Sequence, residues 1–229
     1  MSSTSSVGSN AEVSQSRPLL WARLGSFLSI APLGVWTVAH LWNNLSAFSG
    51  KDAWEASVTR YSHPFSEVAA FVIVLVPLVL HTVWGIQRLG SSRPNNLRYG
   101  YYANFKYFMQ RFTAIGMVFF LGAHLWLAFL HPRLVEGHSE AFEDISWMMH
   151  NHLPTLLVYL VGTFAVCYHL ANGVQTFCWT WGIASGRKSM ARLDRIALVA
   201  FVLLLAMSYG VIYAMWKAGA GFGPPPGMS

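Results

Sequence analysis

Nine histidines occur in 229 residues, and four of them, His40, His81, His124 and His169, lie inside long apolar runs. An ionisable side chain is expensive in hydrocarbon and is retained there for a function or a partner. The four come at near-regular intervals, one in each of the first four apolar runs. Two share a tetrapeptide, Ala39-His40-Leu41-Trp42 and Ala123-His124-Leu125-Trp126. The other two have glycine four residues later, Gly85 after His81 and Gly173 after His169. Residues i and i+4 share a helix face, so glycine there lets a flat macrocycle lie against the backbone. Pro77, four residues before His81, adds a local distortion that helps aim the ring. Imidazoles placed in this way suit axial ligation of haem iron. The covalent Cys-x-x-Cys-His attachment is absent, which leaves haem b. Zinc or copper fits less well, because no cysteine or carboxylate stands beside these histidines at ligand spacing. Histidines that only hydrogen-bond helix to helix are the structural alternative.

The elements that carry these residues follow from hydropathy. The chain is 54% hydrophobic, 15% aromatic and only 10% charged, with a mean hydropathy of +0.41. A soluble domain carries about 25% charged residues. Five apolar runs, near 19–48, 68–87, 112–130, 154–179 and 196–216, each reach the roughly 20 residues that cross a bilayer as a helix. The expected fold is all-α, a membrane bundle of five transmembrane helices. The net charge of +6 lies between the apolar runs, so it reflects topology and not nucleic acid. With the N-terminus inside, eleven Lys/Arg fall on the inner side and four, Lys51, Arg60, Arg133 and Lys217, on the outer side. That asymmetry puts the N-terminus in the cytoplasm and the C-terminus outside. His40 and His124 then sit late in outward-running helices, and His81 and His169 late in inward-running ones. Two histidine pairs, one above the other, are expected. The Ser-rich stretch 1–16 reads as a disordered tail, 17–217 as the membrane domain, and 218–229 as a flexible Gly/Pro-rich tail. Cys167 and Cys178 share one apolar run and read as small buried hydrophobes.

At this point the residues resemble a family, the five-helix di-haem cytochrome b membrane subunits of succinate dehydrogenases and fumarate reductases (the b558 type). The resemblance covers about residues 20–216. It rests on Pro32-Leu33-Gly34 before His40, and on Leu75-Val76-Pro77-Leu78 before His81 and Gly85. It continues through Gln110-Arg111-Phe112-Thr113-Ala114-Ile115-Gly116 before His124. It ends with His169-Leu170-Ala171-Asn172-Gly173 and Thr180-Trp181-Gly182-Ile183. The resemblance implies two haems b, the distal one on His40 and His124 and the proximal one on His81 and His169. It implies a flavoprotein subunit and an iron–sulfur subunit docked on the cytoplasmic face, with FAD and iron–sulfur clusters on those partners only. It implies a quinone, commonly menaquinone, near the distal haem, and a bacterial cytoplasmic membrane as the location. Dicarboxylate chemistry would then belong to a partner, since the chain shows neither a dinucleotide Gly-rich fingerprint nor a cysteine cluster.

Two positions depart from that pattern. Some fumarate reductase members carry Glu two residues before the fourth ligand, where this chain has Cys167, which tilts the reading toward succinate oxidation. Some carry Lys before the Trp-Gly of the fourth helix, where this chain has Thr180. Arg23, Arg88 and Arg111 are the candidates for haem propionates; ordinary positive-inside flanking is their alternative. Glu67, His63, Asn43, Asn44 and Arg60 are the candidates for the quinone. The same complex running from quinol to fumarate, a di-haem anchor of another dehydrogenase, and a haem-free anchor stay as alternatives.

Overall fold

The computed structural model describes residues 19–60, 65, 68–69, 71–91, 93 and 98–225. The proposed N-terminal tail, His63 and Glu67 lie outside the described residues. The chain forms α1 (Leu19–Ser49), α2 (Lys51–Val58), α3 (Phe71–Gly90), α4 (Tyr102–Glu136), α5 (Phe142–Asn151), α6 (Leu153–Thr180) and α7 (Arg187–Gly219). Among the described residues there is no strand. Five of these helices, α1, α3, α4, α6 and α7, are long and apolar enough to cross a membrane.

Helix ends overrun the apolar runs. α4 begins at Tyr102, ten residues before the run from Phe112, and α7 begins at Arg187, nine before Ile196. Hydropathy marks the part immersed in hydrocarbon. Backbone hydrogen bonding continues past it among aromatic and charged residues at the interface.

Prolines shape three of the long helices. Pro32 lies in a π-helical stretch of α1, Ser29–Gly34. A proline removes one helical hydrogen bond and crowds the carbonyl four residues back, and a wider turn makes room for it. A π stretch at Phe71–Leu75 runs directly into Pro77, and α4 has π stretches at Trp126–Leu130 and Pro132–Glu136. α6 is regular throughout; its Pro154 stands in the first turn, where its missing N–H has no helical acceptor. Gly137, at φ +79°, takes the left-handed conformation that ends α4.

Packing is uneven. α6 lies at the centre, against α4 and α7 along their lengths and against the π stretch of α1. α3 touches α1 but barely meets α4. An apolar cleft of about 230 Å3 opens there, lined by Val79, Thr82 and Val83 of α3 and by Val118, Gly122 and Leu125 of α4.

The short helices α2 and α5 were not expected from hydropathy, since eight and ten amphipathic residues cannot span a bilayer. They cap one end of the bundle. Trp54, Phe142, Ile145 and Met149 pack there with Phe120, Tyr159, Ile212 and Met215 of the long helices. Gly219 lets α7 meet the backbone of Ser146 in α5 directly. At the opposite end Lys106 of α4 pairs with Asp194 of α7, and Gln175 of α6 bonds to both.

Candidate haem-binding site

The fold brings the four histidines together as two pairs. His40 of α1 and His124 of α4 lie toward the α2/α5 end, with ring centres 6.0 Å apart and planes crossed at 68°. His81 of α3 and His169 of α6 lie toward the opposite end, at 6.4 Å and 75°. All four rings are half-buried. Two imidazoles on opposite sides of one metal ion, each nitrogen about 2.0 Å from it, have ring centres roughly 6 Å apart. Among the described residues no carboxylate or thiolate contacts either pair, so each donor set is two imidazole nitrogens.

The second nitrogen of each ring matters as much. His81 Nδ1 lies 3.1 Å from the Gly25 carbonyl, and His169 Nδ1 lies 3.1 Å from the Gln110 carbonyl. His124 Nδ1 lies 3.1 Å from the Tyr159 hydroxyl. A ligating histidine characteristically gives its other N–H to such an acceptor, which fixes the tautomer and the ring. In these three rings Nε2 is left for a metal. His40 differs: its Nε2 is 3.3 Å from the Asn44 side-chain amide, and its ring stacks on Trp36 at 4.6 Å.

Room for a flat macrocycle exists beside the rings. A methyl group added at Gly85 or Gly122 would meet no atom, and at Gly173 only the Gln110 amide at 3.9 Å. The apolar cleft between α3 and α4 reaches Gly122. The residues present therefore fit a bis-histidine haem at each level.

Of the propionate candidates, Arg111 is the most telling. Its Nε is buried without a hydrogen-bond partner, while Nη1 donates to the Tyr107 carbonyl at 3.0 Å. Arg88 is close enough for the two cations to repel. An anion between them relieves both the orphaned donor and the repulsion. Arg23 is engaged otherwise, with Nε 3.5 Å from the Thr180 carbonyl and its guanidinium over Trp181. All three stand at the His81/His169 end.

The quinone candidates are less gathered. Asn43 is exposed, and Arg60 is exposed just beyond α2. Asn44, its neighbour, is buried instead: its amide donates to the His40 carbonyl at 2.8 Å and accepts from Trp54 Nε1 at 3.0 Å. Cys167 is buried against Ser208, Sγ to Oγ 3.4 Å, and joins α6 to α7. Sequence reasoning missed Tyr159, Gln110 and Trp54. Tyr159 is ten residues from one histidine and 35 from the one it touches, so no spacing announces it.

A model of the family described as succinate dehydrogenase/fumarate reductase transmembrane subunit matches residues 92–209. The chain is also similar to the succinate dehydrogenase cytochrome b558 subunit of Bacillus subtilis (strain 168), 29% identical over 206 residues, which are 88% of this chain and 99% of that protein. With five membrane-length helices and a family match over half its length, this chain belongs to the succinate dehydrogenase/fumarate reductase transmembrane subunits.

Proposed function

We propose that this subunit carries two haems b, one on His40 and His124 and one on His81 and His169, and passes electrons between an iron–sulfur partner and a membrane quinone. The two ring pairs, 6.0 and 6.4 Å between centres, carry the reading. The Bacillus subtilis relative is named a cytochrome b558 subunit, in keeping with haem b. Bound haem supplies one-electron redox chemistry that no side chain here provides.

The chain's own residues hold and orient. The carbonyls of Gly25 and Gln110 and the Tyr159 hydroxyl accept Nδ1–H from three of the histidines, which keeps Nε2 free of the proton. Arg111 and Arg88, with Arg23 nearby, neutralise carboxylates at the His81/His169 end. That end faces the cytoplasm, with the N-terminus, and docks the iron–sulfur and flavoprotein subunits, which hold the iron–sulfur clusters, the FAD and the dicarboxylate site. The α2/α5 end faces outward. The quinone, menaquinone by preference, is met there by residues drawn from Glu67, His63, Asn43 and Arg60. Cys167, in place of a membrane carboxylate, favours succinate oxidation as the working direction. Residues 17–217 form the bulk of the membrane unit, after the tail at 1–16, and the C-terminal tail begins later than residue 218, since α7 runs to Gly219 and Phe222 packs on Phe142.

Haem per chain and reduced-minus-oxidised spectra of the purified complex test this. Two haems b are expected. His40→Ala and His124→Ala should remove one spectral component, and His81→Ala and His169→Ala the other. A chain that binds no haem when haem is supplied, or losses that cross the pairs, would overturn the assignment.

A further inference from the structure

Gln110 of α4 meets His169 of α6 twice. The His169 ring donates Nδ1–H to the Gln110 backbone carbonyl at 3.1 Å, and the Gln110 side-chain amide donates from Nε2 to the His169 backbone carbonyl at 3.2 Å. A third bond sets that amide: Asn172 Nδ2 donates to Gln110 Oε1 at 2.8 Å. An amide nitrogen only donates, so Asn172 takes the Gln110 oxygen and leaves the Gln110 nitrogen to His169. His169 and Asn172 stand three residues apart on one face of α6, and the Gln110 side chain bonds to both. The other ring of this pair is held more simply. His81 Nδ1 has the Gly25 carbonyl at 3.1 Å, and among the described residues no side-chain amide bonds to the His81 backbone.

We propose that the Gln110 side chain, set by Asn172, is a positioning residue for His169, and that it holds the redox potential of the His81/His169 site down. The inference rests on the haem assignment above. The two bonds between Gln110 and His169 cross the same helix contact, so a roll of α4 against α6 breaks them together. While the side-chain bond holds, the Gln110 carbonyl stays aimed at the ring. An imidazole that keeps such an N–H···O bond is a stronger donor to a metal through its other nitrogen. A stronger donor favours the more positive, oxidised state of the site. Loss of the side-chain bond leaves the carbonyl in place but spoils its aim, and the potential should rise.

A second polar cluster on the same helices separates this role from simple helix-to-helix bonding. Lys106 stands four residues before Gln110 on α4, and Gln175 three residues after Asn172 on α6. Lys106 Nζ donates to Gln175 Oε1 at 2.9 Å, and Gln175 Nε2 donates to Asp194 of α7 at 2.6 Å. Gln175 is buried, and among the described residues this cluster bonds to no histidine. It holds α4 to α6 without touching a ligand.

Optical redox titration of each spectral component in the assembled complex, at one pH, tests the proposal. Gln110→Leu keeps the backbone carbonyl and removes the side-chain bonds. It should weaken the hold on the oxidised His81/His169 site roughly tenfold, a rise of about 59 mV for one electron. Asn172→Ala should raise the same component by less. The His40/His124 component should stay unchanged in both. Gln175→Leu should lower thermal stability and leave both potentials where they are. An unshifted His81/His169 component in Gln110→Leu would overturn the inference. So would an equal shift in Gln175→Leu, which would make Gln110 ordinary helix packing, or a matching shift of the other component. Should Gln110→Leu fail to assemble, Asn172→Ala decides alone. Absence of haem from the unaltered complex would instead sink the underlying assignment.

Discussion

Arg111 shows what a single side chain reveals. A buried guanidinium nitrogen without a partner, beside a second cation, is costly unless an anion arrives. Arg111→Gln should weaken haem retention at the His81/His169 pair and leave the other pair filled. A hydrogen bond to a charged group contributes about 1.5–3 kcal/mol, so roughly ten- to hundredfold weaker retention is expected; haem content per chain after mild extraction by apomyoglobin measures it. The four histidines were legible from sequence because charge in hydrocarbon is rare enough to stand out. Their pairing was legible because each helix's direction fixes depth. Asn44 was harder: it and Asn43 are equivalent in composition, and only helix phase turns one inward. Tyr159 was not legible at all, since a tyrosine in an apolar run has many ordinary uses.

Between α1 and α3 the decisive residue has no side chain. A methyl at Gly25 would overlap the Trp84 indole. That close approach sets the Gly25 carbonyl 3.1 Å from His81 Nδ1. Gly25→Ala should push α3 away, at an overpacking cost of about 1–3 kcal/mol. The His81/His169 haem component should be lost or broadened and the His40/His124 one retained, read by difference spectra alongside thermal unfolding. α3 is the helix to respond, because it barely meets α4. The five crossings were readable from hydropathy because bilayer thickness fixes a minimum length. α2 and α5 escaped, since short amphipathic helices carry no such signature and exist only because the bundle end offers Trp54 and Phe142 an apolar seat.

Across the whole subunit, apolar residues such as Phe119, Val161 and Leu198 are 75%, 65% and 61% exposed, which suits a surface solvated by lipid. Acidic residues gather at the α2/α5 end around Glu140, and Arg23, Arg88 and Arg111 at the other. In the orientation proposed above, cysteine introduced at Ser139 should react with a membrane-impermeant maleimide from outside intact cells. Cysteine at Ser185, between α6 and α7, should react only after permeabilisation. The opposite pattern would invert the topology and with it the face assigned to the soluble partners.

The regularity of α6 bears on how such a chain can change over evolutionary time. Tyr159 and His169 are ten residues apart on an unbroken helix, a rise of about 15 Å. One inserted or deleted residue between them would swing one past the other by about 100°. The two histidine levels would then be out of phase with each other. α1, α3 and α4 already contain wide turns, which absorb an extra residue locally. Length variation should therefore be tolerated in those three helices and selected against in α6, which makes its ten-residue interval the spacing that insertions and deletions cannot reach.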